Sequence, residues 1–377
     1  MKICFIVSSE MSAISFLLPH IKHLSNCHKI SLIVNTNDTQ FLKEYEFLTV
    51  HNVKIIRKIS PIWDFIGLLS ICKIFFREKF DIIHAITPKA GLLAMLGGYI
   101  VRIPIRVHWI TGQVWATKEG FFKQLLINVD KLTYKLSTHL LVDSYSQREF
   151  LKENTKFDMQ KATVLGSGSV CGVDVNRFKR NKQKRLEIRD SLGFHSETIV
   201  ILFIGRLTTD KGVFDLLSAF KKLATKNSQI ALLFVGPDEG AKETLMLNSY
   251  PQHDRIKFID YTENPENYMN CADIFCLPSY REGFGSVVIE AAASLLPSVV
   301  SNIYGLRDSI VDGETGFSFT VGNVNHLEDR LNMIICNKIL RLNMAKKARI
   351  RAELLFNQKI LTAELDSFYK NSVVNKN

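Results

Sequence analysis

The sequence lacks several features that would place it in a well-defined class. Its seven cysteines are scattered and form no Cys-x-x-Cys pair, which is typical of reduced thiols and argues against a disulfide framework or a zinc site. The first predicted loop, residues 8–12, contains no glycine, so the fingerprint of nicotinamide and flavin enzymes is missing. No interleaved aromatic and basic residues indicate a nucleic-acid-binding module.

Long apolar runs are also missing. The stretch at residues 62–76 is interrupted by Asp64 and Lys73, and the stretch at residues 91–101 is too short to cross a bilayer. Residues 2–10 predict a strand and its following loop rather than an export signal. We therefore expect a cytoplasmic protein whose contact with a membrane, if it makes one, is peripheral.

Positive charge is in excess, and it is unevenly distributed. Residues 1–180 hold 24 Lys and Arg against 14 Asp and Glu, whereas residues 181–377 hold 24 against 23. The basic half indicates an anionic partner such as lipid headgroups, a diphosphate-linked molecule or nucleic acid, and simple solubility is the alternative. Within it, Lys54, Arg57 and Lys58 precede an aromatic, amphipathic stretch that extends to residue 76. That stretch suits either an anionic lipid surface or ordinary packing on a sheet.

Short apolar runs alternate with amphipathic segments in both halves of the chain, which predicts α/β domains with parallel sheets. The predicted strands cover residues 3–7, 29–34, 81–85, 105–110, 140–143, 199–204, 230–235, 257–259 and 274–277. The predicted helices cover residues 14–25, 63–77, 89–101, 214–224, a segment from about 285, and a stretch over 324–368 that is followed by a frayed polar tail, 371–377.

The length of 377 residues suits two domains. We place the first at residues 1–175 and the second at 176–355, because residues 176–189 are polar and basic and the α/β pattern restarts after them. Residues 356–377 form a C-terminal helix and tail, whose return to the first domain is left open. Two such doubly wound domains are expected to face each other across a cleft, at the carboxyl ends of their strands.

One motif carries two carboxylates eight positions apart. Glu282 and Glu290 flank the turn Gly283-Phe284-Gly285, which follows an apolar strand and opens a helix. Glycines allow backbone N–H groups to approach a ligand closely, and a helix N-terminus favours an anion. A carboxylate on the first turns of that helix can accept hydrogen bonds from a ribose diol.

A second motif places cations at the end of another strand. Arg206 leaves the predicted strand 199–204, and Lys211 follows five positions later at the start of a helix. An arginine offers a planar fork for phosphate oxygens, and a lysine offers a compact point charge. Together they can neutralise a diphosphate leaving group, a task that a divalent metal performs in other enzymes.

With these two motifs, nearly the whole chain resembles the retaining glycosyltransferases of family 4, which have the GT-B fold of two Rossmann-like domains. Supporting segments lie at residues 81–93, 172–174, 235–237, 272–275 and 312–316. The similarity is to bacterial enzymes that build O-antigen, capsule, lipopolysaccharide and other lipid-linked glycans. No two aspartates stand two positions apart, so the Asp-x-Asp metal clamp of the other main glycosyltransferase fold is absent from the sequence.

The resemblance implies a role for each motif residue. Arg206 and Lys211 would hold the diphosphate of a nucleotide sugar, and Glu290 would bind its ribose. Glu282 would bind hydroxyls of the donor sugar, together with the backbone of Gly283, Phe284 and Gly285. No metal or other cofactor is expected.

The chain departs from the family pattern in the first domain. Members often carry a histidine just before a glycine at the end of a strand, facing the donor sugar, but here Thr111 precedes Gly112. His108 stands three positions before Thr111, and His84 lies near the end of the preceding strand. An isolated histidine on a strand is more often a core residue, so the catalytic base stays open among Thr111, His108 and His84. A retaining reaction in which the leaving phosphate takes the acceptor proton needs no such base.

The resemblance thus implies transfer of a sugar from a nucleotide-diphosphate donor, with UDP favoured, to a lipid-linked or polysaccharide acceptor. The basic first domain would contact the inner face of the cytoplasmic membrane, and no nucleic acid is expected as a partner. Two alternatives stay open. One is a nucleotide-sugar 2-epimerase of the same fold, which cleaves the same bond without transfer, and the other is a non-catalytic sugar-nucleotide-binding scaffold.

Overall fold

The computed structural model describes residues 1–37, 45, 47–56, 60–249 and 253–374. Arg57 and Lys58 of the basic segment lie outside these residues. The chain forms two compact units. The first unit contains Met1–Cys171 together with the chain from Gln358 onward, and the second contains Gly172–Asn357. The boundary therefore lies four residues before the predicted start of the second domain at residue 176.

The seven described strands of the first unit form one parallel sheet in the order β3-β2-β1-β4-β5-β6-β7. All five residues of β4 are buried, as expected for a parallel strand that is covered on both faces. The strands are β1 Lys2–Ile6, β2 Lys29–Val34, β3 Thr49–Asn52, β4 Ile82–Ile86, β5 Ile105–Ile110, β6 His139–Val142 and β7 Ala162–Val164.

The described helices of the first unit before its C-terminal segment are α1 Glu10–Ser12, α2 Leu18–Leu24, α3 Pro61–Glu78, α4 Pro88–Ile100, α5 Gly120–Leu136 and α6 Tyr145–Thr155. Short 3-10 helices lie at Val114–Thr117 and Met159–Lys161. Pro61 and Pro88 open their helices at a position where a missing N–H costs nothing. Lys79 then ends α3 in the left-handed conformation, with φ of 52°.

The predicted helix over residues 14–25 is wrong at its start. A π-helical segment, Ala13–Leu17, separates α1 from α2. Pro19 has no N–H to donate to the carbonyl of Ser15, four residues before it. The Cys171 thiol donates to that carbonyl oxygen instead, at 3.3 Å, so regular α-helical bonding is not continuous through the segment.

Six described strands of the second unit form a parallel sheet in the order β10-β9-β8-β11-β12-β13. They are β8 Ile199–Ile204, β9 Ile230–Val235, β10 Ile256–Ile259, β11 Ile274–Leu277, β12 Ser298–Ser301 and β13 Gly316–Phe319. Every strand predicted from the sequence is present in the two sheets with ends that agree within one residue. The strands β3, β7, β12 and β13 were not predicted.

The helices of the second unit are α7 Lys182–Ser191, α8 Val213–Lys226, α9 Lys242–Asn248, α10 Pro265–Cys271, α11 Ser286–Ala293, α12 Tyr304–Arg307, α13 Val324–Cys336 and α14 Lys338–Leu355, with 3-10 helices at Thr209–Lys211 and His253–Arg255. The last helix, α15 Gln358–Val374, belongs to the first unit.

The predicted helical stretch 324–368 is divided into three helices. Asn337 separates α13 from α14, because its side chain accepts a hydrogen bond from the Leu340 N–H and caps the new helix. The predicted polar tail is wrong at its beginning, since α15 continues as a helix to Val374. Its inward side buries Leu361, Leu365 and Tyr369 completely, and this burial holds the polar segment in place.

The first sheet has an apolar core on each face. One core contains Ile3, Phe5 and Trp109 with residues of α2 and α15. The other contains Cys4, Ile83 and residues of α3 and α4. A single core surrounds the second sheet. Both units therefore have the three-layer Rossmann-like arrangement of helix, sheet and helix that the sequence predicts.

Candidate active site

The candidate site lies at the carboxyl edge of the second sheet. The strand order changes direction between β8 and β11, which are neighbours although two strands separate them along the chain. Open α/β sheets bind ligands at such a switch point. Arg206 follows β8, and Glu282 follows β11, so the two predicted motifs meet at this position.

A glycine allows the two motif loops to touch. Gly212 has φ of +69°, and a Cβ at this position would lie 2.0 Å from the carbonyl oxygen of Pro278. The Tyr280 N–H also donates to the Asp210 carbonyl oxygen at 2.9 Å. Only glycine tolerates both the left-handed backbone and the close approach, which explains why Lys211 is followed by glycine.

This loop contact brings Lys211 and Glu282 together. Lys211 Nζ lies 2.6 Å from Glu282 Oε1, and both side chains are largely buried. The Ser279 hydroxyl donates to the same carboxylate oxygen at 2.8 Å. A charge-assisted hydrogen bond of this length fixes both partners, so the lysine and the carboxylate stand side by side at the switch point.

Arg206 has a partner that we did not predict. Its Nη1 lies 2.5 Å from Glu239 Oε2, and both side chains keep partial exposure, 31% and 42%. Gly236 allows the contact, because a Cβ there would lie 2.0 Å from the Gly205 carbonyl oxygen. The Val235-Gly236-Pro237 segment after a strand was the available signal, and Glu239 stands just beyond it.

Asp210 lies among the cations of the site. Its carboxylate accepts a short hydrogen bond from the Thr208 hydroxyl and pairs with Arg281 Nη2 at 3.5 Å. Partial burial raises the pKa of Asp210, but the Thr208 hydrogen bond and the charges of Lys211, Arg206 and Arg281 lower that pKa further, so the net shift is downward. Asp210 is therefore a stable anion that offsets part of the positive charge.

The Gly283-Phe284-Gly285 turn is built around its second glycine. Gly285 has φ of +67° and is the residue before the first turn of α11, and a Cβ there would lie 2.3 Å from Leu306. Phe284 is buried, and its ring centroid lies 5.4 Å from that of Phe356. The buried ring holds the turn, so the beginning of α11 is fixed at the carboxyl edge of the sheet.

Glu290 lies on α11 and is the most perturbed acid of the site. Burial raises the pKa of its carboxyl to about 7; Arg177 lowers this pKa and Glu266 raises it. Side chains with strongly shifted pKa values cluster at functional sites. The carboxyl therefore changes charge near neutral pH.

The two predicted histidines lie in the interior of the first unit. His84, near the middle of β4, is fully buried, hydrogen-bonds the Tyr369 hydroxyl through Nδ1 and stacks on Trp109 at 5.5 Å between centroids. Burial holds its pKa well below the usual range, and His20 and His108 lower it further. His108 on β5 is 4% exposed and stacks on Tyr134, and burial lowers its pKa to about 4. Both have the environment of a neutral core residue.

Thr111 has a different environment from the histidines. It follows β5 at the carboxyl edge of the first sheet and is partly exposed. Its carbonyl oxygen accepts hydrogen bonds from Gln113 at 2.7 Å and Gln147 at 2.9 Å, which fix the backbone of the turn. Of the three residues considered for the first domain, Thr111 is the one with access to solvent at a ligand-binding edge.

The residues that the structure describes contain neither a cluster of metal ligands nor a membrane-spanning helix. Among them, no three His, Cys, Asp or Glu side chains come together as metal ligands would. None of the helices built from them combines the length and the apolar character needed to cross a bilayer.

The fold agrees with that of solved proteins. Two Rossmann-like domains, each with a parallel sheet, define the GT-B class of glycosyltransferases. The Anabaena protein HepE, solved in complex with UDP and glucose, has a TM-score of 0.82 to this chain at 19% identity, covering 98% of this chain and 100% of its own.

Sequence comparisons define the family. A model described as Glycosyltransferase Family 4 matches residues 20–176, and one described as Glycosyl transferases group 1 matches residues 184–351. The capsular polysaccharide biosynthesis glycosyltransferase CapM of Staphylococcus aureus is 30% identical, over 89% of this chain and 88% of CapM. The UDP-Gal:alpha-D-GlcNAc-diphosphoundecaprenol alpha-1,3-galactosyltransferase of Escherichia coli is 25% identical, over 85% of this chain and 83% of its own length. The chain belongs to glycosyltransferase family 4.

Proposed function

We propose that this glycosyltransferase moves a sugar, with retention of anomeric configuration, from a UDP-sugar to a lipid-linked acceptor during assembly of a bacterial surface glycan. The observation that carries the proposal is the contact between Lys211 and Glu282 at the switch point of the second sheet. An ammonium group, which we assign to a phosphate, lies in this contact beside a carboxylate, which we assign to sugar hydroxyls. A nucleotide sugar has these two groups next to each other.

Arg206 and Lys211 are assigned to the diphosphate. As the glycosidic bond breaks, negative charge grows on the leaving nucleoside diphosphate, and fixed cations stabilise that charge more in the transition state than in the ground state. Lys211 is largely buried, at 16% exposure, so its attraction is less screened by water than that of a surface lysine. We infer that the two side chains do the work that a divalent metal does in other enzymes.

Glu282 and Glu290 are assigned to hydroxyl groups. Glu282 is held by Lys211 and Ser279 and keeps one carboxylate oxygen, Oε2, for the donor sugar. The backbone of Gly283, Phe284 and Gly285 adds N–H donors at the same turn. We assign Glu290 to the ribose, whose two neighbouring hydroxyl groups would each donate a hydrogen bond to one carboxylate oxygen.

The proposal does not require a protein base. The acceptor hydroxyl passes its proton to the departing phosphate oxygen on the same face of the sugar, which keeps the anomeric configuration. The neutral, buried state of His84 and His108 is compatible with this route. The alpha-1,3 linkage in the name of the Escherichia coli relative, together with its UDP-Gal donor, supports the retaining outcome.

The relatives and the charge distribution support the proposed acceptor and location. The same relative acts on a sugar linked to diphosphoundecaprenol, a lipid carrier. The excess of basic residues in the first 180 positions suits an anionic membrane. We therefore place the reaction at the inner face of the cytoplasmic membrane, with the enzyme bound peripherally.

The decisive experiment combines a panel of nucleotide sugars with a diphospholipid-linked sugar acceptor. We expect one UDP-sugar to give UDP and an elongated lipid with the donor's anomeric configuration by NMR, with undiminished rate in EDTA. Lys211→Ala should reduce turnover at least about a hundredfold. The control is Lys222→Ala, which removes an exposed lysine on α8 and should leave turnover unchanged. Equal turnover in the two variants would refute the site. If the enzyme isomerised the donor sugar when no acceptor was present, it would be an epimerase. If it bound the donor without turning it over, it would be a scaffold.

A further inference from the structure

The first turns of α3 and α5 expose an unusual number of large apolar side chains. Phe121 is 85% exposed, Ile62 75% and Phe65 62%. Four more are 40% to 45% exposed: Trp63, Ile66, Phe122 and Leu125. Scattered exposed apolar residues are normal on a soluble protein, but seven on two helix starts are a group that calls for a partner. We call these seven residues the apolar rim.

The topology places the whole apolar rim at one edge of the first sheet. Helix α5 follows β5, so its first turn lies near the carboxyl end of that strand. The end of α3 leads into the start of β4, so the first turn of α3 lies at the carboxyl edge as well. Helix α4 packs against both α3 and α5 and lies between them. The rim therefore flanks the edge where parallel sheets bind ligands.

The segment of the sequence that contains the rim is basic, although Lys73 and Arg77 on α3 and Lys131 and Lys135 on α5 lie on later turns, away from the rim. Residues 54–135 contain thirteen Lys and Arg against five Asp and Glu, which accounts for most of the net charge of +11 of the chain. Lys54 Nζ lies 3.6 Å from the centroid of the Trp63 ring, so a cation and an amphipathic ring stand together. Lys118 is exposed just before α5.

We propose that the apolar rim inserts into an anionic phospholipid bilayer and presents the carboxyl edge of the first sheet to lipid-linked acceptors. Exposed aromatic residues bordered by lysines suit the boundary between acyl chains and headgroups, where apolar burial and attraction to anionic lipid add together. The inference rests on the proposed function, since a lipid carrier keeps its diphosphate at the same boundary. It goes further by naming the surface and its orientation.

Flotation of the full chain with vesicles tests the surface. Wild-type protein should bind vesicles of phosphatidylglycerol and phosphatidylcholine, and bind phosphatidylcholine vesicles much more weakly. Replacing Ile62, Phe65 and Phe121 together by serine should weaken binding on the order of a hundredfold. The control is Phe76→Ser, because Phe76 is also 75% exposed but lies at the other end of α3. The proposal would be overturned if both variants lost the same amount of vesicle binding, or if the triple variant bound as tightly as wild type.

Tryptophan fluorescence locates the inserted residues directly. The chain has three tryptophans, and Trp63 is 40% exposed, whereas Trp109 and Trp115 are at most 1% exposed. Lipids brominated on their acyl chains should quench wild-type emission, and Trp63→Phe should remove the quenched component. Quenching that persists in Trp63→Phe, or no quenching of bound wild-type protein, would contradict insertion of the rim.

Two further measurements distinguish a failure of membrane docking from a failure of the proposed function, and a lipid surface from a second protein copy as the partner of the rim. With a short-chain, water-soluble acceptor, the triple serine variant should transfer sugar at the wild-type rate, while transfer to acceptor in vesicles falls about as much as binding. A loss with both acceptors would contradict the docking role. Sedimentation should show wild-type and variant chains at the same mass, and a wild-type dimer that the variant dissociates would assign the rim to a second copy of this chain instead.

Discussion

At the scale of single residues, the cations assigned to the diphosphate already have carboxylate partners. Arg206 pairs with Glu239 and Lys211 with Glu282. The first pair is partly exposed and the second largely buried. An exposed pair contributes little to stability and is easily exchanged for a ligand, whereas a buried pair holds its geometry. In the proposed function, Arg206 would therefore exchange Glu239 for the diphosphate, while Lys211 would stay in position.

Because the Arg206 pair is exposed and the Lys211 pair is buried, replacing Glu239 and replacing Glu282 should affect stability and catalysis differently. Glu239→Ala should change the free energy of unfolding by less than about 1 kcal/mol and change KM for the donor only a few-fold. Glu282→Ala should lower kcat by about a hundredfold or more, because it removes both a sugar ligand and the partner of Lys211. Denaturant unfolding and steady-state kinetics measure these effects. A larger kinetic loss in Glu239→Ala than in Glu282→Ala would reverse the assignment.

The raised pKa of Glu290 predicts a pH dependence of stability. The ordinary pKa is 4.5 and that in the folded protein about 7, so between these values the folded state holds more protons than the unfolded state. The free energy of unfolding must therefore fall as pH rises from 4.5 to 7, by about 1–3 kcal/mol. Glu290→Gln keeps the shape without the titration, so its stability relative to wild type should be greater at pH 8 than at pH 5. Chemical denaturation at both pH values measures this, and a constant difference would disprove the shift.

Part of the site was predictable from residue types and part was not. Arg206, Lys211 and Glu282 stand in local motifs next to predicted strands, so their meeting at one edge follows from parallel topology. The pairing of Arg206 with Glu239 depends instead on the loop after β9, a neighbouring strand, and no local pattern specifies which side chain turns inward there. The burial of His84 under Tyr369 depends on α15, nearly 300 residues away along the chain.

At the scale of elements, a glycine joins the two motif loops. A side chain at position 212 would clash with the Pro278 carbonyl, and the left-handed backbone there is unfavourable for any residue with a Cβ. Gly212→Ala should therefore displace Lys211 and lower kcat about a hundredfold. Gly193→Ala is the matched control, because Gly193 has φ of +72° with open space around it. The control should lose about 1 kcal/mol of stability and keep its activity. Comparable kinetics in the two variants would show that the loop contact does not position Lys211.

The elements that sequence patterns predict best are the long apolar strands of the sheet centres. β2, β5, β8, β9 and β11 have the predicted bounds, because a strand covered on both faces must be continuously apolar. The strands that were missed have only three or four residues, and β3 and β7 are only partly buried. The π-helical segment was missed although Pro19, which removes one helical N–H donor, stands in the local sequence. The thiol that replaces this donor at the Ser15 carbonyl lies 156 positions away and could not be predicted from local pattern.

Across the full chain, each unit has apolar cores of its own, and the last helix completes one core of the first unit. Leu361 and Leu365 of α15 are fully buried among residues of the first sheet. The second unit has its own core, which includes Leu331 of α13. A change at the C-terminus is therefore expected to weaken the N-terminal unit, although the other unit lies between them in sequence.

The tryptophans make this expectation measurable. All three belong to the first unit, so their fluorescence reports its unfolding and not that of the second. Leu365→Ala should lower the fluorescence-detected free energy of unfolding by about 2–5 kcal/mol, through lost burial and a cavity. Leu331 is equally buried, at 0% exposure. Leu331→Ala should leave the fluorescence signal unchanged and instead lower the protection of second-unit amides against hydrogen exchange. Identical fluorescence shifts in the two variants would mean that the cores unfold as one, and that α15 couples them rather than completing the first.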